Sequence, residues 1–168
     1  QFEKANPAQK RVLIDILARI HSRESMQIIL DVLFDTDFEL VKEACQAVRR
    51  HITDAGQKDR LVLHRQVVKF MKGSRAKKND RVLTSCLLLV GYIGAPDARN
   101  ILLKYSTLRN LGYIRRNALI GLTGLQLTGA AANSVARQMF KYLGEPDPTI
   151  VQLSLDIIEK LPLPDNAL

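Results

Sequence analysis

The chain has 168 residues, of which 46% are hydrophobic and 25% are charged, and its formal net charge at pH 7 is +8. This composition is typical of one globular domain with a buried core, and it excludes the disordered and fibrous classes of protein. No apolar run approaches the roughly 20 residues that a transmembrane helix needs, so we expect no membrane span.

Apolar residues recur at helical spacing along almost the whole chain, and no run has the alternation and turn signals of a β-strand. Glycines divide this pattern and indicate where helices end. We therefore predict an all-α domain. In chain order its predicted helices cover residues 8–22, 24–34, 38–52, 57–72, 79–93, 97–107, 111–127, 131–143 and 148–161.

The predicted helices form a degenerate repeat of helix pairs, because the first helix of each pair can be aligned on one apolar residue. The aligned residues are Leu13, Val41, Val82, Ile114 and Val151, at spacings of 28, 41, 32 and 37 residues. Periods in this range predict a stacked array in which each unit buries its apolar face against its neighbours. We expect about five pairs, the last incomplete, in a single domain over residues 1–168.

Polar residues flank three of the five aligned positions in the same way. Asp or Asn stands four residues before the apolar residue, and Lys, Arg or Gln stands one residue after it. The pattern is absent around Leu13 and Val82. It is clearest in DTDFELVKEACQAVRRHI and EPDPTIVQLSLDIIEKL.

This pattern resembles the first-helix motif of HEAT repeats, and helix pairs of the armadillo type are the alternative. The resemblance implies a right-handed α-α superhelix, or solenoid. It also implies that five polar residues hold adjacent repeats together and are not ligand-binding residues. These residues are Asp37, Lys42, Asn110, Arg115 and Asp147.

The positive charge is concentrated in the middle of the chain. Residues 58–82 carry nine basic and two acidic side chains, residues 83–144 carry seven and one, and residues 145–168 carry one and five. Such an uneven distribution produces a positive field that favours an anionic partner.

Several basic residues fall at helical spacing on the predicted second helices of the middle pairs. In HEAT arrays the second helix usually lines the concave face, so the resemblance implies that these residues share one groove. The candidate binding residues are Arg65, Lys69, Lys72, Lys104, Arg137 and Lys141. The connector with Lys72, Arg75, Lys77 and Lys78 is a second candidate. The alternative is that these cations only keep the surface soluble.

Signatures of catalysis and metal binding are absent from the sequence. The three histidines, His21, His51 and His64, show no HxxxH or HExxH spacing, and the two cysteines form no CxxC motif. We therefore predict no catalytic residue, no metal and no cofactor. HEAT-like alkylpurine DNA glycosylases have groove tryptophans, whereas this chain has no Trp.

Cys45 and Cys86 lie within apolar helical patterns, so we expect both thiols to be buried and free. Free cysteines favour a reducing compartment, and we predict a cytoplasmic location. The chain begins at Gln1 without an initiator Met and ends in a tail with Pro162 and Pro164, so we expect a fragment of a longer protein.

Together these features predict a non-enzymatic protein-interaction or regulatory scaffold whose basic concave groove binds an acidic protein surface. The alternative partner is a nucleic acid or another polyanion. A factor for enzyme assembly, such as the HEAT-like lyases that attach bilins, is a third possibility. No small-molecule substrate is expected.

Overall fold

The computed structural model describes residues 2–162, none of which lies in a β-strand. Gln1 and residues 163–168, which include Pro164, lie outside the described residues. Two short 3₁₀ segments cover Phe2–Lys4 and Ile52–Asp54. The α-helices of the described part are α1 (Pro7–Ile20), α2 (Arg23–Val32), α3 (Phe38–His51), α4 (Gln57–Met71), α5 (Ser74–Lys77), α6 (Asp80–Ile93), α7 (Ala98–Tyr105), α8 (Gly112–Thr123), α9 (Gly129–Tyr142) and α10 (Pro148–Lys160).

All of the predicted helices are present, and the prediction of an all-α chain is confirmed for the described residues. The largest error is at the end of α8, which stops at Thr123, four residues before the predicted end at 127. The prediction has no helix at α5, whose residues belong to the predicted basic connector. Ala76 of α5 is only 3% exposed, and the guanidinium carbon of Arg75 lies 3.9 Å from the Phe34 ring centroid. Burial and a cation–π contact therefore order this segment.

Polar side chains fix the starts of five helices. A side-chain oxygen of each N-cap residue accepts a hydrogen bond from a backbone N–H of the first turn, which satisfies a donor that has no partner within the helix. The N-cap residues of α1, α2, α3, α6 and α10 are, in that order, Asn6, Ser22, Asp37, Asn79 and Asp147. Each stands directly before an apolar helical pattern, which is why sequence alone located these helix starts well.

Contacts between the helices define two layers. The first layer contains α1, α3, α6, α8 and α10, each packed against the next in that order. The second layer contains α2, α4, α7 and α9, which pack against first-layer helices. Within the second layer α2 packs on α4, whereas the backbones of α4 and α7, and likewise those of α7 and α9, approach each other closely at few points. The second layer is therefore more open than the first.

Helices α6 and α8 cross closely in the first layer, with a glycine from each at the contact. A Cβ atom added to Gly91 would lie 2.5 Å from both the Cα and the carbonyl oxygen of Gly121. One added to Gly121 would lie 2.8 Å from Cδ2 of Leu102. Gly91 and Gly121 therefore permit the close packing of α6 on α8. Gly124 is not needed for this packing, because a Cβ there would approach its neighbours no closer than 3.5 Å, an ordinary contact.

The two cysteines lie in the core, as predicted, and both are free. Burial raises the pKa of the Cys45 thiol to about 12 and also raises the pKa of Cys86. None of the helices formed by residues 2–162 combines the length and the hydropathy needed to cross a lipid bilayer.

Candidate anion-binding surface

The six predicted binding residues all lie on second-layer helices or at their ends. Arg65 and Lys69 belong to α4, which Lys72 caps, Lys104 belongs to α7, and Arg137 and Lys141 belong to α9. All six side chains are exposed. Among residues 2–162, none of them forms an ion pair with a carboxylate.

Cations associated with the first layer behave differently, because several of them have carboxylate partners. Lys10 Nζ lies 3.6 Å from Asp35, and a guanidinium nitrogen of Arg50 lies 2.6 Å from Glu43. Ion pairs of this kind neutralise charge locally. More of the exposed cations without carboxylate partners among the described residues are therefore on the second layer than on the first.

Three of the predicted residues meet in one cleft. Arg65, Lys69 and Lys72 are spaced four and three residues apart, so they project from the same side of α4. The cleft beside them has a volume of about 400 Å³. Its lining residues are His64, Arg65, Val68, Lys69, Lys72, Gly73 and Asp97. We call it the α4 cleft.

A buried histidine forms part of the α4 cleft, and sequence reasoning missed it. His64 is 2% exposed, and its Nε2 lies 2.8 Å from Oδ1 of Asp97, the N-cap residue of α7. That approach is poorly aligned, and within the described residues neither ring nitrogen has a hydrogen bond of good geometry. Burial lowers the pKa of His64, while the Asp97 carboxylate opposes this shift. The available signal was a histidine beside the apolar stripe of Leu63, Val67 and Met71.

The other predicted residues lie apart from the α4 cleft. Lys104 lines a separate cleft of about 510 Å³ with Tyr105, Thr107, Arg109 and Asn110. Arg137 and Lys141 line neither of these two clefts. The structure thus brings together the three cations of α4. The cations of α7 and α9 lie elsewhere on the same layer.

A second basic cleft, of about 390 Å³, lies between α2 and α4 on the other side of Lys69. Arg23 and Arg75 contribute further positive charge to it. Gln66 donates from Nε2 to the carbonyl oxygen of Arg23 at 2.7 Å, while its buried Oε1 has no partner among the described residues. Lys77 and Lys78, named in the basic connector, are exposed but do not line this cleft.

Two of the five residues that the HEAT resemblance implies to be inter-repeat contacts link successive first-layer helices. Arg115 donates from Nε to the carbonyl oxygen of Ser106 at 2.9 Å and pairs with Glu145 in the loop before α10. Asp147 accepts from Arg116 of α8 at 2.8 Å. These bonds connect α8 and the loop before it with the start of α10, so two successive first-layer helices are joined.

The other three residues do not join helices as the resemblance implies, because the side chain of each binds a partner in its own helix or loop. Asp37 accepts from the backbone N–H groups of the α3 first turn, since it is the N-cap residue. Lys42 pairs with Glu39, three residues earlier on the same helix, at 3.6 Å. Asn110 donates to the carbonyl oxygen of Lys104 at 3.3 Å within its own loop.

Residues outside the motif provide further links between the first-layer helices. Asp15 of α1 accepts a hydrogen bond at 2.9 Å from Nε2 of His51 on α3 when that nitrogen carries its proton. Arg81 of α6 donates to the carbonyl oxygen of Asp35 before α3, and Tyr113 of α8 donates to Asp80 of α6. The first layer is therefore connected along its length.

No family model, curated protein or solved structure matches the chain. Conclusions about its function therefore depend on its own residues. Residues 2–162 contain no group of three or more His, Cys, Asp or Glu side chains arranged to hold a metal ion.

Proposed function

We propose that the chain is a non-enzymatic binding module whose second layer holds an acidic segment of a protein partner. The observation that carries this proposal is the set of six exposed second-layer cations without carboxylate partners among the described residues. The chain from Ala98 to Gly144 also contains no acidic residue. An unbalanced field of one sign attracts a complementary partner and orients its approach.

The proposed architecture is a right-handed superhelix of HEAT-like pairs in which the second layer forms the concave, partner-facing side. The sequential packing of the first layer and the links made by Arg115 and Asp147 support this arrangement. The open second layer supports a role in binding, because acidic side chains can enter the clefts beside its helices. Free, buried Cys45 and Cys86 support placing the module in the reducing cytoplasm.

An acidic protein segment suits the α4 cleft better than a single-stranded nucleic acid does. Binding of single strands generally combines a basic groove with aromatic side chains on which bases stack. The α4 cleft is lined by Val68, Gly73, charged side chains and one imidazole, with no Phe or Tyr.

The proposal can be tested by fluorescence anisotropy with a labelled Glu-rich peptide and with single-stranded and duplex DNA. Measurements would run from about 50 to about 300 mM NaCl, because electrostatic binding weakens with salt. We expect the peptide to bind, and Lys69→Glu and Arg137→Glu each to weaken it about fivefold. Arg11→Glu is the matched control, since it makes the same charge change at an exposed position on α1.

Binding of DNA without binding of the peptide would show that the partner is a nucleic acid and not an acidic protein segment. Equal losses in all three variants would show that net charge, and not the second layer, controls binding. Absence of binding to every probe at about 50 mM salt would overturn the proposal altogether.

A further inference from the structure

The α4 cleft has an excess of two positive charges within a small space. Arg65, Lys69 and Lys72 contribute three cationic groups, and Asp97 contributes one carboxylate. The Asp97 side chain is 61% exposed, so water screens it more than a buried carboxylate. A dianion entering the cleft would therefore balance the charge of its lining.

The buried imidazole of His64 is the second observation. Its 2% exposure leaves almost no access to bulk water, and its ring nitrogens lack a well-aligned partner among the described residues. A buried polar atom without a hydrogen bond costs about 1 to 3 kcal/mol. The ring lines the cleft, where a ligand group can provide a missing hydrogen bond.

We infer that the α4 cleft binds one phosphoryl group carried by a serine or threonine of the protein partner, an inference that rests on the proposed function. A phosphomonoester has a charge of about −1.5 to −2 at pH 7 and three acceptor oxygens. That charge matches the excess of two positive charges, whereas a Glu or Asp side chain would leave one of them unbalanced.

Each side chain has a distinct part in binding the group. The planar guanidinium of Arg65 can donate two parallel hydrogen bonds to a pair of phosphoryl oxygens. Lys69 and Lys72 act as compact charges on the same helix. Neutral His64 directs the N–H of Nε2 to Asp97, which leaves Nδ1 as an acceptor for an N–H or O–H group of the bound phosphopeptide.

The same arrangement distinguishes a phosphomonoester from a nucleic-acid backbone. A backbone phosphate is a diester with a single negative charge, and two of its oxygens are blocked by carbon. It has neither the second negative charge that would balance the cleft's cations nor a third free oxygen to accept their hydrogen bonds.

Three acidic peptides that differ at one central residue provide the test. That residue is phosphoserine, Glu or Ser, and binding is measured by titration calorimetry with the complete 168-residue chain. We expect the phosphoserine peptide to bind about tenfold more tightly than the Glu peptide. Lys72→Gln and Arg65→Gln should each reduce this ratio to about threefold or less.

Lys58→Gln is the matched control, because it removes one charge from an exposed lysine of α4 that does not line the α4 cleft, and it should preserve the ratio. Histidine-ring NMR gives a second readout that needs no variant of the buried residue. We expect the His64 ring signals to shift when the phosphoserine peptide binds and to shift much less with the Glu peptide.

The outcomes separate the inference from the proposed function. Equal affinity for the phosphoserine and Glu peptides, both weakened by salt, would overturn the phosphoryl site while supporting the acidic partner. A preference for phosphoserine that survives both cleft variants would also overturn it. If no peptide binds, the proposed function and the inference fail together.

Discussion

Replacing Gly91 by Ala tests the contact that brings α6 and α8 together. The new Cβ would lie 2.5 Å from the Cα and carbonyl oxygen of Gly121, about 1 Å closer than an ordinary van der Waals contact. These are backbone atoms, so no side chain can rotate away and the two helices must separate. Overpacking typically costs about 1 to 3 kcal/mol, and a clash of two backbones belongs at the upper end of that range.

The better helix propensity of Ala returns about 1 kcal/mol, which leaves a net loss of about 2 kcal/mol in the free energy of unfolding. For a domain of this size the melting temperature should fall by about 6 °C, measured by circular dichroism at 222 nm. Gly112→Ala in α8 is the control, because its Cβ would meet only Asp147 Oδ2, at 3.9 Å. Melting of Gly91→Ala at or above the wild-type temperature would refute the reasoning.

Three further perturbations test other features of the fold. Arg115→Ala leaves the Glu145 carboxylate, whose side chain is 11% exposed, without its guanidinium partner, so chemical denaturation should show a loss of about 3 kcal/mol in the free energy of unfolding, and a loss below about 1 kcal/mol would contradict the burial of Arg115. Asp15 has its pKa lowered to about 2, chiefly by the hydrogen bond with His51, and this stabilisation is present above pH 4 and disappears as pH falls through 2. Asp15→Asn should therefore cost about 1 kcal/mol at pH 6 and progressively less below pH 4, whereas a pH-independent difference would exclude this origin. Cys45 and Cys86 should react with a thiol reagent only on unfolding, and rapid native labelling would contradict their burial.

The helices could be predicted from sequence because their signals are local. An N-cap residue such as Asn79 and a buried apolar stripe are both visible within one stretch of chain. The extent of α5 could not be predicted, because its order depends on contacts with Phe34, about 40 residues earlier in the sequence. The same reason explains why Gly91 gave no signal of its own: a side chain there clashes only because α8 places Gly121 against it.

The site was predictable in part for the same physical reason. Arg65, Lys69 and Lys72 share one helix face, so their proximity follows from helical periodicity. Asp97 lies at the start of a different helix, α7. Its approach to His64 of α4 depends on how these helices are arranged in the fold. No spacing rule within one helix connects residues from such distant segments.

The open second layer has a mechanical consequence. The backbones of α4 and α7, and likewise those of α7 and α9, approach each other closely at few points, and contacts at the helix ends, such as Ser106 with Tyr142, connect them. The first layer resists bending through its glycine contact and its ion pairs. Bending of the chain should therefore change the distances between the cations of α4, α7 and α9 more than the distances among the three cations of α4.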